Sequence, residues 1–401
     1  MHHQLTFRIL TLVLVLALGL AACTPAPTPA PPEPQLPIAT QPPVEAQPPI
    51  ATQEPAPVET QPPPAVEEPC LVIGALYVGS VNDAGYNQAM HDSLMVVEQN
   101  IPCVEIVEAE NVYEGPTAET VMETMISEGA KLIFPTSFGH QEPAINVANK
   151  HPDVIFEHAG GWMMSDNFAN FYGKPPETWY LMGIAAGMMT ETNKLGFVAA
   201  MPLGWTLTFV NSFELGAQSV NPDAETIVTF TGSWSDRAKE AAATDALINQ
   251  GVDVITMHVD SPATVIQSAE ARGVYSIGFQ SLAAQQFAPE YWITGAGFTL
   301  GGLMTGLAQS VIDQTWEPNF IRCGLADGCM AIAPYGPKVP EEVKTAVDQA
   351  LAQTTSGELV IFKGPIIDQE GTVRVAEGES LSDEDMGNTD WFVMGVIGQP
   401  K

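Results

Sequence analysis

The sequence predicts an α/β protein made of two consecutive lobes, each with a parallel sheet covered by helices. Two observations carry this. From Cys70 onward, short apolar runs of strand length alternate with stretches of helical spacing, the pattern of βαβ units. The alternation also runs through two complete series, one after the other, which implies two similar lobes. With 45% hydrophobic and only 15% charged residues, a chain of 401 residues can bury a substantial core in each.

The first series reads as strand 71–78, helix 87–100, strand 104–107, helix 117–128, strand 132–136, helix 142–150 and strand 154–158. A loop, 163–178, leads to a helix of small residues, 179–192. The second series reads as strand 194–200, helix 206–220, strand 225–231, helix 236–250, strand 254–258, helix 262–272 and strand 275–279. A helix over 301–315 and a tail of mostly strand and loop complete the chain. The expected division is lobe 1 over 70–176, lobe 2 over 177–296, and a segment 297–401 that returns to lobe 1 and is shared between the lobes. Strand-like crossovers near 173–178 and 295–297 would form a hinge.

Residues before Cys70 belong to neither lobe. Arg8 precedes an apolar run from Ile9 to Leu20, too short for a comfortable membrane span and followed by Leu20-Ala21-Ala22-Cys23. Residues 1–22 read as a secretory signal, and the quartet resembles a bacterial lipobox in which Cys23 is diacylated and becomes the mature N-terminus. An ordinary signal peptide with Cys23 incidental is the alternative. Between Thr24 and Pro69 lie seventeen of the 34 prolines, six Glu and no Lys or Arg. Such a segment favours extended polyproline II and cannot pack as a domain, so 23–69 reads as a lipidated tether.

Net charge narrows the partners. Lys and Arg number 14 against 47 Asp and Glu, a formal charge of -33, which leaves no electrostatic footprint for nucleic acid. Four cysteines remain beyond Cys23. Cys70 and Cys103 each open a predicted strand, and Cys323 and Cys329 flank a Gly/Asp-rich turn; two local disulfides fit an exported protein. No Cys-x-x-Cys or paired histidine suggests a metal. No nucleophile elbow, Walker loop or dinucleotide glycine fingerprint suggests an enzyme, and no cofactor is expected.

In open α/β sheets ligands sit beyond the carboxyl ends of strands. Those positions carry Asn82-Asp83-Ala84-Gly85-Tyr86-Asn87, Ser137-Phe138-Gly139-His140, Gly160-Gly161-Trp162, Gly204-Trp205, Gly232-Ser233-Trp234, His258-Val259-Asp260 and Gln280-Ser281. Aromatic rings alternate there with carboxylate and amide groups, suited to stacking on a flat ligand and reading its edge.

Asn82 to Gln88 resembles the first-loop motif of the basic membrane protein (BMP) family, lipoprotein substrate-binding components of ABC transporters related to purine nucleoside receptors. Trp179-Tyr180-Leu181-Met182-Gly183, Phe213-Glu214-Leu215-Gly216-Ala217, Gly232-Ser233-Trp234-Ser235-Asp236 and His258-Val259-Asp260-Ser261-Pro262 resemble further blocks, in order and at matching spacing. The resemblance implies a type I periplasmic-binding-protein fold that closes around a purine. Asp83 and Asn87 would hydrogen-bond the base and Tyr86 would stack on it. It also implies permease and ATPase subunits as partners and a lipid anchor on the outer side of a bacterial cell membrane; a monomer is the default expectation for a tethered receptor. Gln280 departs from the pattern: nucleoside binders carry Asp there, gripping ribose, and the family's frequent lysine nearby is missing. Both losses favour a free nucleobase or another small planar ligand.

Several of these residues fit a second job. Asp83 suits a helix cap as well as a ligand contact, and so does Asp260; Asp236 suits a cap. Trp205 fits a plug between the lobes, Trp234 a core position, and His258 a satisfied core histidine. Phe138 fits the core, while His140 and Trp162 fit a cleft edge. A receptor serving a membrane signalling partner, or a binder of another small ligand such as a sugar, is the alternative function.

Overall fold

The computed structural model describes residues 68–401. The expected signal segment, Cys23 and all of the tether except residues 68 and 69 lie outside the described residues.

In chain order the strands and helices of the first part are β1 (Leu71–Leu76), α1 (Tyr86–Asn100), β2 (Val104–Ala109), α2 (Pro116–Ser127), β3 (Leu132–Pro135), α3 (Gln141–Ala148), β4 (Ile155–Ala159), β5 (Phe168–Gly173) and α4 (Pro175–Met189). The second part follows as β6 (Lys194–Ala199), α5 (Gly204–Val220), β7 (Glu225–Phe230), α6 (Arg237–Asn249), β8 (Val254–His258), α7 (Ala263–Ala271), β9 (Tyr275–Gly278) and β10 (Trp292–Phe298). Then come α8 (Gly301–Ile312), β11 (Phe320–Cys323), β12 (Met330–Ile332), α9 (Glu341–Thr355), a small hairpin of β13 (Ile366–Ile367) and β14 (Val373–Val375), α10 (Asp383–Gly387) and β15 (Val396–Ile397).

Six strands form the first sheet in the order β11-β5-β4-β3-β1-β2, with every pair parallel. Seven form the second in the order β12-β10-β9-β8-β6-β7-β15, parallel except for the β10–β12 edge. The chain crosses between the sheets three times: after β5 through α4, after β10 through α8, and between β11 and β12. The expected alternation is therefore present, and the central strands of each sheet, such as β3 in the first and β8 and β10 in the second, are buried on both faces, as strands of a parallel sheet covered by helices are.

Three expectations need correction. The stretch 163–178 is not one loop, because Phe168–Gly173 adds a strand beside β4. Asn167 beside it, and Asn170 and Gly173 within it, mask the apolar run, yet the two N–H groups of Asn167 Nδ2 are shared among three carbonyls, those of Ala148, His151 and Val154, which makes the position a core one. The hinge segments are not separate links between elements either. Residues 175–178 are the first turn of α4, opened by Pro175 and Pro176, whose missing N–H groups are harmless there. Gly295–Gly297 lies inside β10, where Gly297 makes room for the backbone of Gln280 and Leu282. Finally, the tail holds a full helix, α9, which buries Val343, Val347 and Ala350 at helical spacing.

Two features fix the frame. Helices α4 and α5 approach closely enough that a Cβ on Gly183 would lie 2.0 Å from the Phe213 carbonyl oxygen, and one on Gly216 would lie 2.0 Å from that of Tyr180. Cys70 pairs with Cys103 at the starts of neighbouring parallel strands, Cα atoms 5.4 Å apart, and Cys323 pairs with Cys329 across the β11–β12 crossover.

Candidate functional site

The carboxyl ends of both sheets face one cavity. Aromatic rings supply its largest wall residues. Tyr86 follows β1, Phe138 follows β3, Tyr172 lies on β5, Trp205 and Phe209 lie on the first turns of α5, and Trp234 follows β7. These rings rest on a second aromatic layer in the core. Trp179 packs against Phe279 at 4.5 Å between centroids, and Phe298 joins Phe279 to Tyr86 and Tyr172. A wall supported in this way holds its orientation, which a stacking surface needs.

Few polar groups interrupt the walls, and three of them are short of partners. Asp260, after β8, is buried, and its carboxylate receives no hydrogen bond from the described residues. Its backbone is well held: its N–H donates to Trp234 O at 2.8 Å and its carbonyl accepts from Tyr86 N at 3.2 Å. It does not cap α7, whose cap residue is Pro262. Burial, then repulsion from Asp83, Glu114 and Glu240, pushes this carboxyl well above the usual aspartate range. Gln280, after β9, has a buried Oε1 with no donor and a φ of 81°, which a side chain adopts only under strain. Arg322, on β11, has a buried Nε with no acceptor. The His258 ring packs edge-on against Phe209, Trp234 and Phe279, has Thr206 Oγ1 at 3.4 Å as its one hydrogen-bond partner, and is held by burial at a pKa of about 3, so it is neutral at pH 7.

Of the residues expected from sequence, Tyr86, Trp205, Trp234, Asp260 and Gln280 line the cavity together. Asp83 and Asn87 do not. The Asp83 carboxylate accepts from Gly85 N (2.7 Å), Asn87 Nδ2 (2.7 Å), Gln88 N (3.1 Å) and Asn87 N (3.3 Å), and Asn87 Oδ1 accepts from Gly79 N (3.2 Å). Both side chains are consumed in shaping the loop that presents Tyr86, the capping role and not the edge-reading one. Trp162 is 63% exposed and tilts against Phe138 outside the cavity. Phe138 is a rim residue and not core, and His258 lines the cavity and is no satisfied core histidine. His140 is fully buried behind Ser137, with Nε2 on Val112 O, away from any cleft edge. Asp236 caps α6 by accepting from Lys239 N.

Sequence reasoning missed Tyr172 and Arg322. Both sit on strands hidden within stretches read as loop or tail. The polar-aromatic pattern Asn170-Phe171-Tyr172-Gly173 and the lone Arg322 before Cys323 were the available signals.

The Asp260 carboxyl sets up a pH-dependent expectation. The unfolded residue ionises above its ordinary value of 3.8, whereas the folded one keeps its proton to higher pH. Folding therefore carries a penalty that is absent below the ordinary value, grows as pH rises toward the raised one, and then levels off. Asp260→Asn removes it. The melting temperature of the ligand-free variant should exceed wild type clearly at pH 8 and match it at pH 4. An equal difference at both values would show that the carboxyl titrates normally.

Two mainly parallel sheets joined by three crossovers, with a half-open cavity at their strand ends, define a two-lobed α/β protein with a cleft between its lobes. Residues 70–367 match the Bmp family, described as ABC transporter substrate-binding protein PnrA-like, and the chain belongs to that family. It is a substrate-binding protein of an ABC transporter and not an enzyme. A purine-binding protein of Brucella abortus is 38% identical over 328 residues, 81% of this chain and 93% of its own length. A putative ABC transporter glucose-binding protein of Haloferax volcanii is 32% identical over 324 residues, 81% of this chain and 80% of its own length. Among solved structures, an ABC transporter solute-binding protein of Conexibacter woesei superposes with a TM-score of 0.61 at 23% identity, over 72% of this chain and 97% of that one. Among the described residues no helix is long and apolar enough to cross a membrane, and no cluster of side chains is arranged to hold a metal.

Proposed function

We propose that this protein captures a purine nucleobase outside the cell and delivers it to an ABC permease. The aromatic cavity carries the reading: flat walls from Tyr86 on one lobe and Trp205 or Trp234 on the other suit a planar ring, with Asp260 and Gln280 supplying the few polar contacts. The purine-binding relative supports it, as does the absence of a ribose-gripping carboxylate at Gln280. In this reading Asp83 and Asn87 serve the ligand indirectly, by fixing the loop under Tyr86. The protein works as a monomer tethered by a diacylated Cys23.

The test is mass spectrometry of ligand carried through purification, followed by thermal-shift titration with nucleobases, nucleosides and sugars. A ligand at a hundred times its Kd adds about 2.7 kcal/mol. Bases should shift the melt most. The glucose-binding relative makes sugars the informative control, since aromatic walls also stack sugar rings; a shift with glucose and none with bases would overturn the purine reading.

The tether has its own test. Cys23→Ser should release the protein from the membrane fraction and leave ligand affinity within about twofold, because roughly 45 proline-rich residues separate anchor from cavity. Continued membrane attachment of the processed variant would exclude the lipid anchor.

A further inference from the structure

Arg322 has no role in the stacking scheme, and its surroundings are unusual for a cation. It sits at the register position opposite Tyr172 on the edge of the first sheet and lines the cavity. Its guanidinium lies 4.2 Å from the centre of the Trp205 ring, 5.0 Å from Phe320 and 5.5 Å from Tyr172. Its protein hydrogen bond is a long one, Nη1 to Gly173 O at 3.4 Å, and Nε is buried with no acceptor. Arg272 and Arg374 each pair with a carboxylate, whereas no carboxylate oxygen lies within 4.0 Å of Arg322 among the described residues. Ring faces offset part of the cost of burying a cation, but they leave its fork of N–H donors unsatisfied.

A planar fork held by stacked rings and lacking an acceptor is suited to two acceptors side by side in the plane of a ligand. The purine edge that offers this is the 6-oxo edge, where O6 and N7 both accept; arginine reads that edge in pairs on guanine in nucleic acids. Adenine places an N6 amino donor there, which would face the guanidinium donors and leave them unpaired. The second lobe offers the complementary character: the unpaired Gln280 Oε1 can accept an N–H of the same lactam or of the imidazole ring.

We propose that Arg322 is a specificity-determining residue that reads the O6/N7 edge, so that the site selects 6-oxopurines, the hypoxanthine, guanine and xanthine type, over adenine. This deepens the nucleobase reading and rests on it. Because Arg322 belongs to the first sheet and Trp205 to the helix that follows the first strand of the second, the stack that holds the guanidinium forms across the lobes.

Titration calorimetry of the full chain with hypoxanthine and adenine tests this. Wild type should bind hypoxanthine at least tenfold tighter. In Arg322→Met, which keeps the length of the side chain without its fork, the hypoxanthine-to-adenine ratio should fall to near one. Arg322→Lys, a point charge without the fork, should fall in between. Equal binding of the two bases by wild type overturns the proposal without needing a variant, and so does an Arg322→Met protein that weakens both bases by the same factor. If neither base binds wild type, the nucleobase reading itself has failed and this inference falls with it; binding of adenine alone would refute only the role of Arg322.

Discussion

Gly85→Ala will hold the two lobes apart. Gly85 lies in the β1–α1 loop of the first lobe, and a Cβ there would sit 1.9 Å from the backbone oxygen of Asp260 and 2.6 Å from Pro262 Cδ, both in the second lobe. Neither the φ of Gly85, −133°, nor helix capping demands glycine; the close approach does. Beside it, Tyr86 N donates to Asp260 O at 3.2 Å, a backbone hydrogen bond joining the loops that bracket the cavity. A methyl group at this point meets rigid backbone, which cannot rotate away, so the lobes must part. If ligand is retained by closure, affinity falls with the population of the closed form. The expected loss is about tenfold to a hundredfold, roughly 1.4–2.8 kcal/mol. Small-angle scattering should show wild type contracting on ligand saturation while the variant stays at its ligand-free radius. The ligand-free melting temperature should change little, since the clash arises only where the lobes meet. A variant that binds as wild type and contracts on saturation would show that the loops do not act as a closure point.

Removing the Cys70–Cys103 bridge should cost stability on a different scale. The bridge closes a segment with a sequence separation of 33 and ties the starts of β1 and β2, the strand pair at one edge of the first sheet. Loop-closure entropy for that length amounts to about 3–4 kcal/mol. The double variant Cys70→Ala with Cys103→Ala should lose about that much in equilibrium denaturation, with ligand affinity close to wild type, because the bridge lies at the amino ends of strands whose carboxyl ends form the cavity. A loss below about 1 kcal/mol would mean that the parallel pairing from Leu71 to Leu76 holds the edge unaided.

Much of this architecture was legible in the chain because parallel strands buried on both faces announce themselves as unbroken apolar runs. Val254–His258 is read from sequence with the bounds the structure gives, and β6, β7 and β9 within a residue at each end. Strands that carry polar residues with tertiary partners were not legible. Phe168–Gly173 contains Asn170, fully buried and hydrogen-bonded to His158 Nδ1 at 3.1 Å, a contact that no local pattern could reveal. The same limit governed the site. Strand-end position alone placed Tyr86, Trp205, Trp234, Asp260 and Gln280 correctly around one cavity, since topology delivers every strand end to the same place. It could not tell a carboxylate left unbonded at the cavity wall from one folded back on its own loop, which is how Asp260 differs from Asp83. Orientation depends on which N–H groups lie in reach, and Asp83 has four of them within 3.3 Å.

The third passage between the sheets, from β11 to β12, runs through residues 324–328 with Cys323 and Cys329 joined at its ends. The lobes are thus connected there by two covalent routes in parallel, one through the backbone of the five intervening residues and one through sulfur. A protease that nicked the turn near the exposed Asp327 would leave the molecule in one piece, with Arg322 still anchored to its sheet and the second lobe still attached through Cys329. For a protein that works outside the cell, beyond the reach of resynthesis in place, that redundancy makes a broken peptide bond at the crossover a survivable event, provided the surroundings stay oxidising.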